Sequence, residues 1–277
     1  MGCETRLTCA LPPMYLKIIA CEIALREICF AAARSPSTVD LEFLPQGYHD
    51  YPTTGVKYIQ ERISAVPPGK YDAILLGYGL CGNIIKGIQA QNTKIVIPRA
   101  HDCITFFLGS HRRYMEVSQE RPGTYYYTAG WLEVLRRRGD ATPVEAAGFL
   151  PTRAAAESAL NSTYAQWVEK FGKEKADYLA SVMDQWSSTY SRGVLIEFDF
   201  NRVEELRERV RKICERHGWE FESLQGDMSS LQAWVDGEWD AERFLVLNPG
   251  EIVEPSYGSE VIAARNPVEK QPATESR

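Results

Sequence analysis

The chain has 277 residues, of which 44% are hydrophobic and 25% are charged, and its formal net charge is −6. This composition is typical of a globular protein, and the length allows one large domain or two small ones. The negative charge gives no electrostatic reason to bind nucleic acid or an anionic membrane surface. No apolar run reaches the ~18–20 residues that a membrane span needs. We therefore expect neither a nucleic-acid partner nor a membrane partner.

The cysteine content and the first residues indicate the cellular compartment. Seven cysteines, an odd number, do not suggest a disulfide framework in a chain of this length. Residues 1–14 contain one basic residue and no apolar stretch of signal-peptide length, so we interpret them as a disordered leader. These features predict a cytoplasmic protein, in which reduced thiols serve as ligands, nucleophiles or core residues.

Strand-like and helix-like segments alternate along most of the chain. Strands are predicted at residues 15–20, 39–44, 71–76, 93–97, 124–128, 193–198, 219–224 and 244–247, and helices at 21–33, 56–66, 104–117, 201–216 and 227–235. This alternation predicts an α/β fold with a mostly parallel, doubly wound, Rossmann-like sheet and an added helical segment. We expect one α/β domain over residues 15–262, a helical insertion at about 132–190, and a flexible tail over 263–277.

Candidate chemistry is concentrated in the loops that follow the predicted strands. Ligands of open parallel sheets bind beyond the carboxyl ends of the strands, where these loops lie. The candidate side chains there are Cys21 and Glu22 after the first strand, His49 after the second, Cys81 after the third, and Arg99, His101, Asp102 and Cys103 after the fourth. Thiolate and imidazole are ligands for Zn²⁺ and for iron.

A metal site is the first interpretation of these loops. We predict that Cys81, His101 and Cys103 bind one metal ion, with Cys21 as a possible fourth ligand. Zn²⁺ is the first choice, and iron or an Fe–S cluster is the alternative. Three protein ligands would leave one position open, at which the metal can activate water or a substrate thiol. Cys21 opens a predicted helix, so a core thiol is an equally good interpretation of that residue.

Four polar residues receive supporting roles in this hypothesis. His49 would act as general acid or base, because imidazole titrates near neutral pH. Asp102 or Glu22 would orient a histidine, as carboxylates do around metal sites. Arg99 would bind an anionic substrate or pair with an acid. His49 has an alternative interpretation, since it could simply cap the next helix.

The glycine-rich stretch Gly77–Gly82 has the spacing G-x-G-x-x-G directly after a predicted strand. This spacing occurs in dinucleotide-binding proteins, but there it is followed by an acidic residue at the end of the next strand. Here that strand ends in Pro98-Arg-Ala-His101. We therefore predict that Gly79 and Gly82 bring the backbone close to a cofactor site. The aromatic residues Tyr126 and Trp131 are expected either to close this pocket or to belong to the core.

With these motifs, the chain resembles a prokaryotic family named only as a domain of unknown function. The resemblance rests on Gly77–Gly82, on Ile97–Ile104, on Thr124–Trp131, on Leu224–Asp227 and on the pieces near Gly237 and Pro249. It covers roughly residues 15–254. Genes of such proteins often lie beside those of corrinoid proteins and methyltransferases of anaerobic one-carbon metabolism. The resemblance therefore implies, by association only, a corrinoid protein or a methyltransferase as partner.

Three functional hypotheses follow. The first is a metal-dependent enzyme that transfers a methyl or other small group, in which a Cys/His-bound metal activates a thiol or a small-molecule substrate. The second is a carrier that delivers a metal, a metallocofactor or an Fe–S cluster to a corrinoid or methyltransferase partner. The third is a metal-free enzyme in which Cys81 or Cys103 is the nucleophile, activated by His101 or His49. A homodimer is expected only from the base rate for enzymes of this size.

Overall fold

The computed structural model describes residues 12–46, 48, 52–138, 168–169, 172–173, 175, 190–256, 258 and 260–267. The strands are β1 (Tyr15–Cys21), β2 (Thr38–Leu44), β3 (Ala73–Gly77), β4 (Ile95–Pro98), β5 (Thr124–Tyr127), β6 (Arg192–Glu197), β7 (Glu220–Gln225), β8 (Phe244–Leu247), β9 (Ile252–Pro255) and β10 (Ile262–Arg265). The helices are α1 (Leu25–Arg34), α2 (Pro52–Ser64), α3 (Cys103–Leu108), α4 (His111–Glu120), α5 (Ala129–Arg138), α6 (Val203–His217) and α7 (Ser229–Asp236). Short 3₁₀ turns follow β1 and β3, at Glu22–Ala24 and Cys81–Asn83. The alternation of strands and helices confirms the predicted mixed α/β class.

A mostly parallel sheet forms the centre of the molecule. Its strand order is β2-β1-β3-β4-β8, and β1 to β4 are all parallel. Strand β3 is buried along its whole length, as expected for a central strand with both faces covered. Helix α2 covers one face, where Ile59 packs in the same cluster as Leu76, and α1, α3 and α7 cover the other.

A second sheet was not expected from the sequence. Strands β5, β6 and β7 pair in parallel with one another and have no partner in the central sheet. Strand β5 was predicted as the fifth strand of a single sheet, and that part of the prediction was wrong. Hydrophobic periodicity identifies a strand but not the strand with which it pairs, because both sheets offer β5 the same backbone hydrogen bonds.

The edge of the central sheet and the end of the described chain also differ from expectation. Strand β8 pairs antiparallel with β4, so the central sheet is mixed at this edge. Strands β9 and β10 form an antiparallel pair, and Ala263 to Arg265 belong to β10 rather than to a tail. Residues 1–11 of the predicted leader (residues 1–14), most of the predicted helical insertion, and residues 268–277 lie outside the described residues.

The segment predicted as one helix over residues 104–117 forms two helices. Helix α3 ends at Gly109, which adopts the left-handed conformation with φ of 78°. The next residue, Ser110, begins α4 by accepting a hydrogen bond from the backbone N–H of Arg113 at 3.2 Å. A left-handed glycine favours the end of one helix, and a serine cap directly after it favours the start of another. Among the helices in the described ranges, none is long and apolar enough to span a membrane.

The second sheet packs against the α1 side of the central sheet. Phe198, which follows β6, lies 6.3 Å from Phe107 of α3 between ring centroids. Gly130 of α5 sits against the backbone of Ile23, so closely that a side chain at Gly130 would collide with the Ile23 carbonyl group. Arg26 of α1 forms a two-pronged ion pair with Glu133 of α5, with both Nε–O distances at 2.8 Å. These contacts hold α5 over the end of β1.

Candidate functional site

A cavity of about 310 Å³ lies beyond the carboxyl ends of β1, β3 and β4. The chain moves from β1 outward to β2 and then returns to β3 on the other side of β1, so the strand order reverses between β1 and β3. Ligands of open α/β sheets bind at such a reversal. The cavity is lined by Cys21, Ile23, Ala24, Pro45, Gln46, Tyr48, Gly77, Tyr78, Gly79, Cys81, Gly82, Ile84, Asp102, Cys103, Ile104, Phe106, Tyr125, Tyr126, Thr128 and Trp131.

Three cysteines from three adjacent strands meet at this cavity. Cys21 is the last residue of β1, Cys81 begins the turn after β3, and Cys103 begins α3 after β4. All three line the cavity, and all three are reduced. The sequence placed these cysteines in neighbouring loops, and the structure brings them together.

The Cys81 loop has an unusual backbone conformation. Cys81 has φ of 33°, and Gly82 and Asn83 follow with φ of 64° and 73°. Non-glycine residues rarely adopt positive φ, and such strained residues concentrate at functional sites. Two hydrogen bonds to the neighbouring loop hold this conformation. The Leu80 N–H group donates to the Ala100 carbonyl oxygen and the Cys81 N–H group to the His101 carbonyl oxygen, both at 2.8 Å.

The glycines of the G-x-G-x-x-G stretch have packing roles. A Cβ at Gly79 would lie 2.9 Å from the Asp102 backbone, and one at Gly77 would overlap the Ala20 side chain at 2.5 Å. Gly82 adopts the left-handed conformation. Packing or backbone conformation thus accounts for the glycine at each position, without a bound nucleotide. The close approach at Gly79 agrees with the expectation that glycine lets two backbones come close together at the site.

The environment of the cavity raises the pKa of two of its thiols. That of Cys81 is raised to about 12, first by burial and then by the nearby Asp102 carboxylate and Cys21. Burial also raises the pKa of Cys103 well above its usual value, with added contributions from Cys81, Asp102 and Cys21. The backbone N–H groups of Cys103 and Gly79 oppose this effect at the Cys81 sulfur. The mutual influence of the three thiols shows that they share one low-dielectric site.

Aromatic rings form much of the remaining wall. Tyr125 of β5 and Trp131 of α5 meet edge to face, with ring centroids 6.4 Å apart. The other aromatic lining residues are Tyr48, Tyr78, Phe106 and Tyr126. Tyr126 and Trp131 both line the pocket, and both also pack against the core cluster on the α1 side of the central sheet. Tyr78 and Phe106 were not singled out, although Tyr78 lies inside the glycine motif and its position directly after β3 was an available signal.

Asp102 is the charged side chain that lines the cavity, among the residues that the structure describes. Its carboxylate Oδ1 accepts hydrogen bonds from the backbone N–H groups of Ile104 at 3.0 Å and Thr105 at 3.3 Å. Asp102 is thus the N-cap of α3. This role fixes Cys103 as the first residue of the helix and so sets where its thiol enters the cavity.

Three other predicted site residues, His101, Arg99 and Glu22, do not line the cavity. The exposed His101 ring lies 5.1 Å from the His111 ring, on the side of the second and more polar pocket that His111 lines. Arg99 donates to the carbonyl oxygens of Ala241 at 2.9 Å, of Glu260 at 3.0 Å and of Ile262, so its guanidinium group ties β4 to β8 and β10.

Glu22 and His49 belong to the same region of the chain, but only one of them is described. The Glu22 carboxylate accepts a hydrogen bond from the Gln46 backbone N–H at 2.9 Å and holds the loop after β2 against the end of β1. The predicted general acid or base His49 lies outside the described residues. Two described residues that precede it in the same loop, Gln46 and Tyr48, line the cavity.

The ligand set predicted for a metal ion is only partly assembled. Cys21, Cys81 and Cys103 share the cavity, whereas the His101 side chain is turned toward His111. Within the described ranges, no three His, Cys, Asp or Glu side chains already form a group that could hold a metal ion. The donor chemistry of three clustered thiols nevertheless suits a soft metal.

Fold and site together define an α/β protein with a thiol-lined, aromatic-walled cavity at the reversal point of its central sheet. A family model described as a protein of unknown function (DUF1638) matches residues 43–235, which is more than half of the chain. The chain therefore belongs to this family. The match includes Cys81, Cys103 and Trp131 and begins after Cys21. Comparisons with curated proteins and with solved structures find no match.

Proposed function

We propose that the protein is a metal-dependent enzyme that transfers a methyl or other small group, with its metal bound by the thiolates of Cys21, Cys81 and Cys103. The observation that carries the proposal is the convergence of these three thiols on one cavity that also has room for an organic molecule. Zn²⁺ is the first choice of metal, and iron or an Fe–S cluster is the alternative, because thiolates suit all of these.

The raised pKa values of Cys81 and Cys103 argue against metal-free nucleophilic catalysis. A thiol whose pKa is about 12, as at Cys81, is almost entirely protonated near neutral pH and is a poor nucleophile. Of the two histidines predicted to activate Cys81 or Cys103, His101 lies beside His111 instead of the cavity, and His49 is outside the described residues. A bound cation would displace the thiol protons and remove the repulsion among the three sulfurs. Binding would require the three side chains to turn toward one point.

The shape of the cavity supports an enzyme that acts on a small molecule. Its volume of about 310 Å³ is at the lower end of the range for ligand pockets, roughly 300–1,000 Å³. A metal held by three thiolates has a coordination position left, and it would supply Lewis-acid chemistry to a thiol or a leaving group there. The chain's own residues would bind the organic part of the substrate and exclude water. A corrinoid protein or methyltransferase as partner rests on the family resemblance alone.

The test is the metal content of anaerobically purified full-length protein, measured by elemental mass spectrometry. We expect close to one metal ion per chain, or a stoichiometric cluster with its iron and sulfide. The variants Cys81→Ser and Cys103→Ser, alone and together, should lose most of the metal. Cys29→Ser is the matched control, because Cys29 is a partly buried thiol of α1 that does not line the cavity.

Two results would contradict the proposal. One is wild-type protein that contains no metal after anaerobic purification and takes up none from a solution of Zn²⁺ or Fe²⁺. The other is metal that remains at full occupancy in the Cys81→Ser, Cys103→Ser double variant. Metal that is present but passes rapidly to a chelator, with no small molecule bound in the cavity, would favour the carrier hypothesis instead.

A further inference from the structure

The cavity combines several aromatic rings with a negative charge. Six aromatic residues line it, namely Tyr48, Tyr78, Phe106, Tyr125, Tyr126 and Trp131. The Asp102 carboxylate also lines it, and no Lys, Arg or His does so among the residues that the structure describes. Three thiolates around a divalent metal would add one further net negative charge. The electrostatic environment therefore favours a cationic ligand over an anionic one.

The ring arrangement suits a cation that cannot donate hydrogen bonds. Tyr125 and Trp131 both line the cavity and stand edge to face, at an interplanar angle of 60°. Aromatic faces attract cations through their quadrupole, and groups of such rings recognise methylated ammonium ions. An ordinary ammonium or guanidinium ion would need hydrogen-bond acceptors on several sides, whereas a quaternary ammonium ion needs only apolar and aromatic contact.

The wall contains a buried hydroxyl group that makes no hydrogen bond with any residue in the described ranges. It belongs to Tyr78, whose side chain is 4% exposed. Buried hydroxyl groups are almost always hydrogen-bonded in folded proteins. Because Tyr78 lines the cavity, a ligand with an oxygen acceptor beside its cationic group would satisfy it.

We propose that the cavity binds a small methylated ammonium compound, with the cationic group against Tyr125, Trp131 and Asp102 and an oxygen atom near the Tyr78 hydroxyl. This inference rests on the proposed function, since it names the substrate class of the same cavity. Such a compound carries methyl groups on a positively charged nitrogen, next to the thiols to which the metal site belongs.

The test compares choline with 3,3-dimethylbutan-1-ol, its uncharged carbon isostere. Binding of each to the full-length protein is measured by isothermal titration calorimetry, with and without metal. We expect choline to bind about tenfold more tightly than the isostere, a difference in the range of cation–π contacts in desolvated sites. Since the two ligands have the same shape, this comparison needs no variant.

Three single-residue variants test which side chains contact choline. Trp131→Leu should weaken choline binding about tenfold, with little effect on the isostere. Asp102→Asn should also weaken choline, while it keeps the helix cap because asparagine caps as well as aspartate does. Tyr78→Phe should weaken choline and the isostere alike, since both carry the hydroxyl oxygen that this residue would contact.

The titrations of metal-free wild-type protein separate this inference from the proposed function. Without the metal, the protein should still bind choline more tightly than the isostere, because the aromatic walls remain. Metal binding without preference for choline would contradict the substrate class and leave the metal site intact. Preference for choline in a protein that binds no metal would contradict the metal site alone. Equal affinity for the two ligands, or no binding of either, overturns the inference.

Discussion

Gly79 and Asp102 touch backbone to backbone, so that a Cβ at Gly79 would lie 2.9 Å from the Asp102 Cα and carbonyl carbon. Gly79 precedes Cys81 in the loop after β3, and Asp102 precedes Cys103 in the loop after β4. The contact therefore fixes the two loops that carry two of the three cavity thiols. It has no flexible side chain that could move aside, since both partners contribute main-chain atoms.

Replacing Gly79 by alanine is expected to push these two loops apart. The overpacking should lower the free energy of unfolding by roughly 1–3 kcal/mol. It should also lower metal occupancy, because Cys81 and Cys103 would separate. Urea unfolding and elemental analysis measure the two effects. Gly258→Ala is the control, because a Cβ there meets only the Ser256 hydroxyl at an ordinary 3.8 Å. If Gly79→Ala has the same free energy of unfolding as wild type, the two loops can move apart without cost and the prediction is wrong.

The thiols of metal-free protein are expected to resist alkylation. Burial raises the pKa of Cys81 to about 12 and that of Cys103 well above its usual value, and only the thiolate reacts. Iodoacetamide near neutral pH should therefore modify both residues at least about tenfold more slowly in the native protein than in urea. Peptide mass spectrometry gives the rate for each cysteine. Faster alkylation of Cys81 in the native protein would instead favour a cysteine nucleophile.

Metal binding should strengthen as the pH rises. The thiol pKa values lie above neutral pH, so each thiol must release its proton when it binds the metal. Between about pH 6 and 8, the apparent affinity for Zn²⁺ should rise about tenfold per pH unit for each proton released. Competition with a chelator of known affinity measures this slope. An affinity independent of pH would mean that thiolates are already present without the metal.

A buried carboxyl group on α1 should make stability depend on pH. Glu27 is fully buried, neither carboxylate oxygen has a hydrogen-bond partner among the residues that the structure describes, and burial raises its pKa from 4.5 to about 7. The folded state thus holds this proton where the unfolded chain releases it, so stability falls as the pH rises from 4.5 to about 7. The ionisation penalty above that range is about 3 kcal/mol.

Glu27→Gln removes this penalty. The variant should gain up to about 3 kcal/mol over wild type near pH 8 and little near pH 4. Urea unfolding at both pH values measures the difference, and Glu208→Gln, at an exposed position of α6, is the control. Parallel stability profiles for Glu27→Gln and wild type would show that the Glu27 carboxylate finds a partner when it ionises.

The sequence predicted the central strands and the thiol cluster for the same physical reason. Buried parallel strands are continuous apolar runs, and their carboxyl ends meet at one edge, so Cys21, Cys81 and Cys103 had to lie near one another. The glycine spacing at Gly77–Gly82 could be judged insufficient for nucleotide binding because the acidic residue that normally follows was missing.

Side-chain direction and strand pairing could not be predicted in this way. His101 and Cys103 are two residues apart, but Asp102 caps α3 between them, and this cap sends Cys103 into the cavity while His101 stays with His111. The separate sheet of β5, β6 and β7 depends on contacts distant in sequence, such as Gly130 against Ile23, which periodicity does not encode.

The packing of Gly130 against Ile23 has a consequence for how the site can change over evolutionary time. The thiols belong to loops of the central sheet, whereas Tyr125, Tyr126 and Trp131 arrive from the second sheet and its first helix. The thiols and these three aromatic residues thus lie on separate layers, which meet at contacts such as Gly130 against Ile23 and Phe198 against Phe107. Substitutions in β5 and α5 could redirect the protein to a new ligand while every cysteine keeps its place.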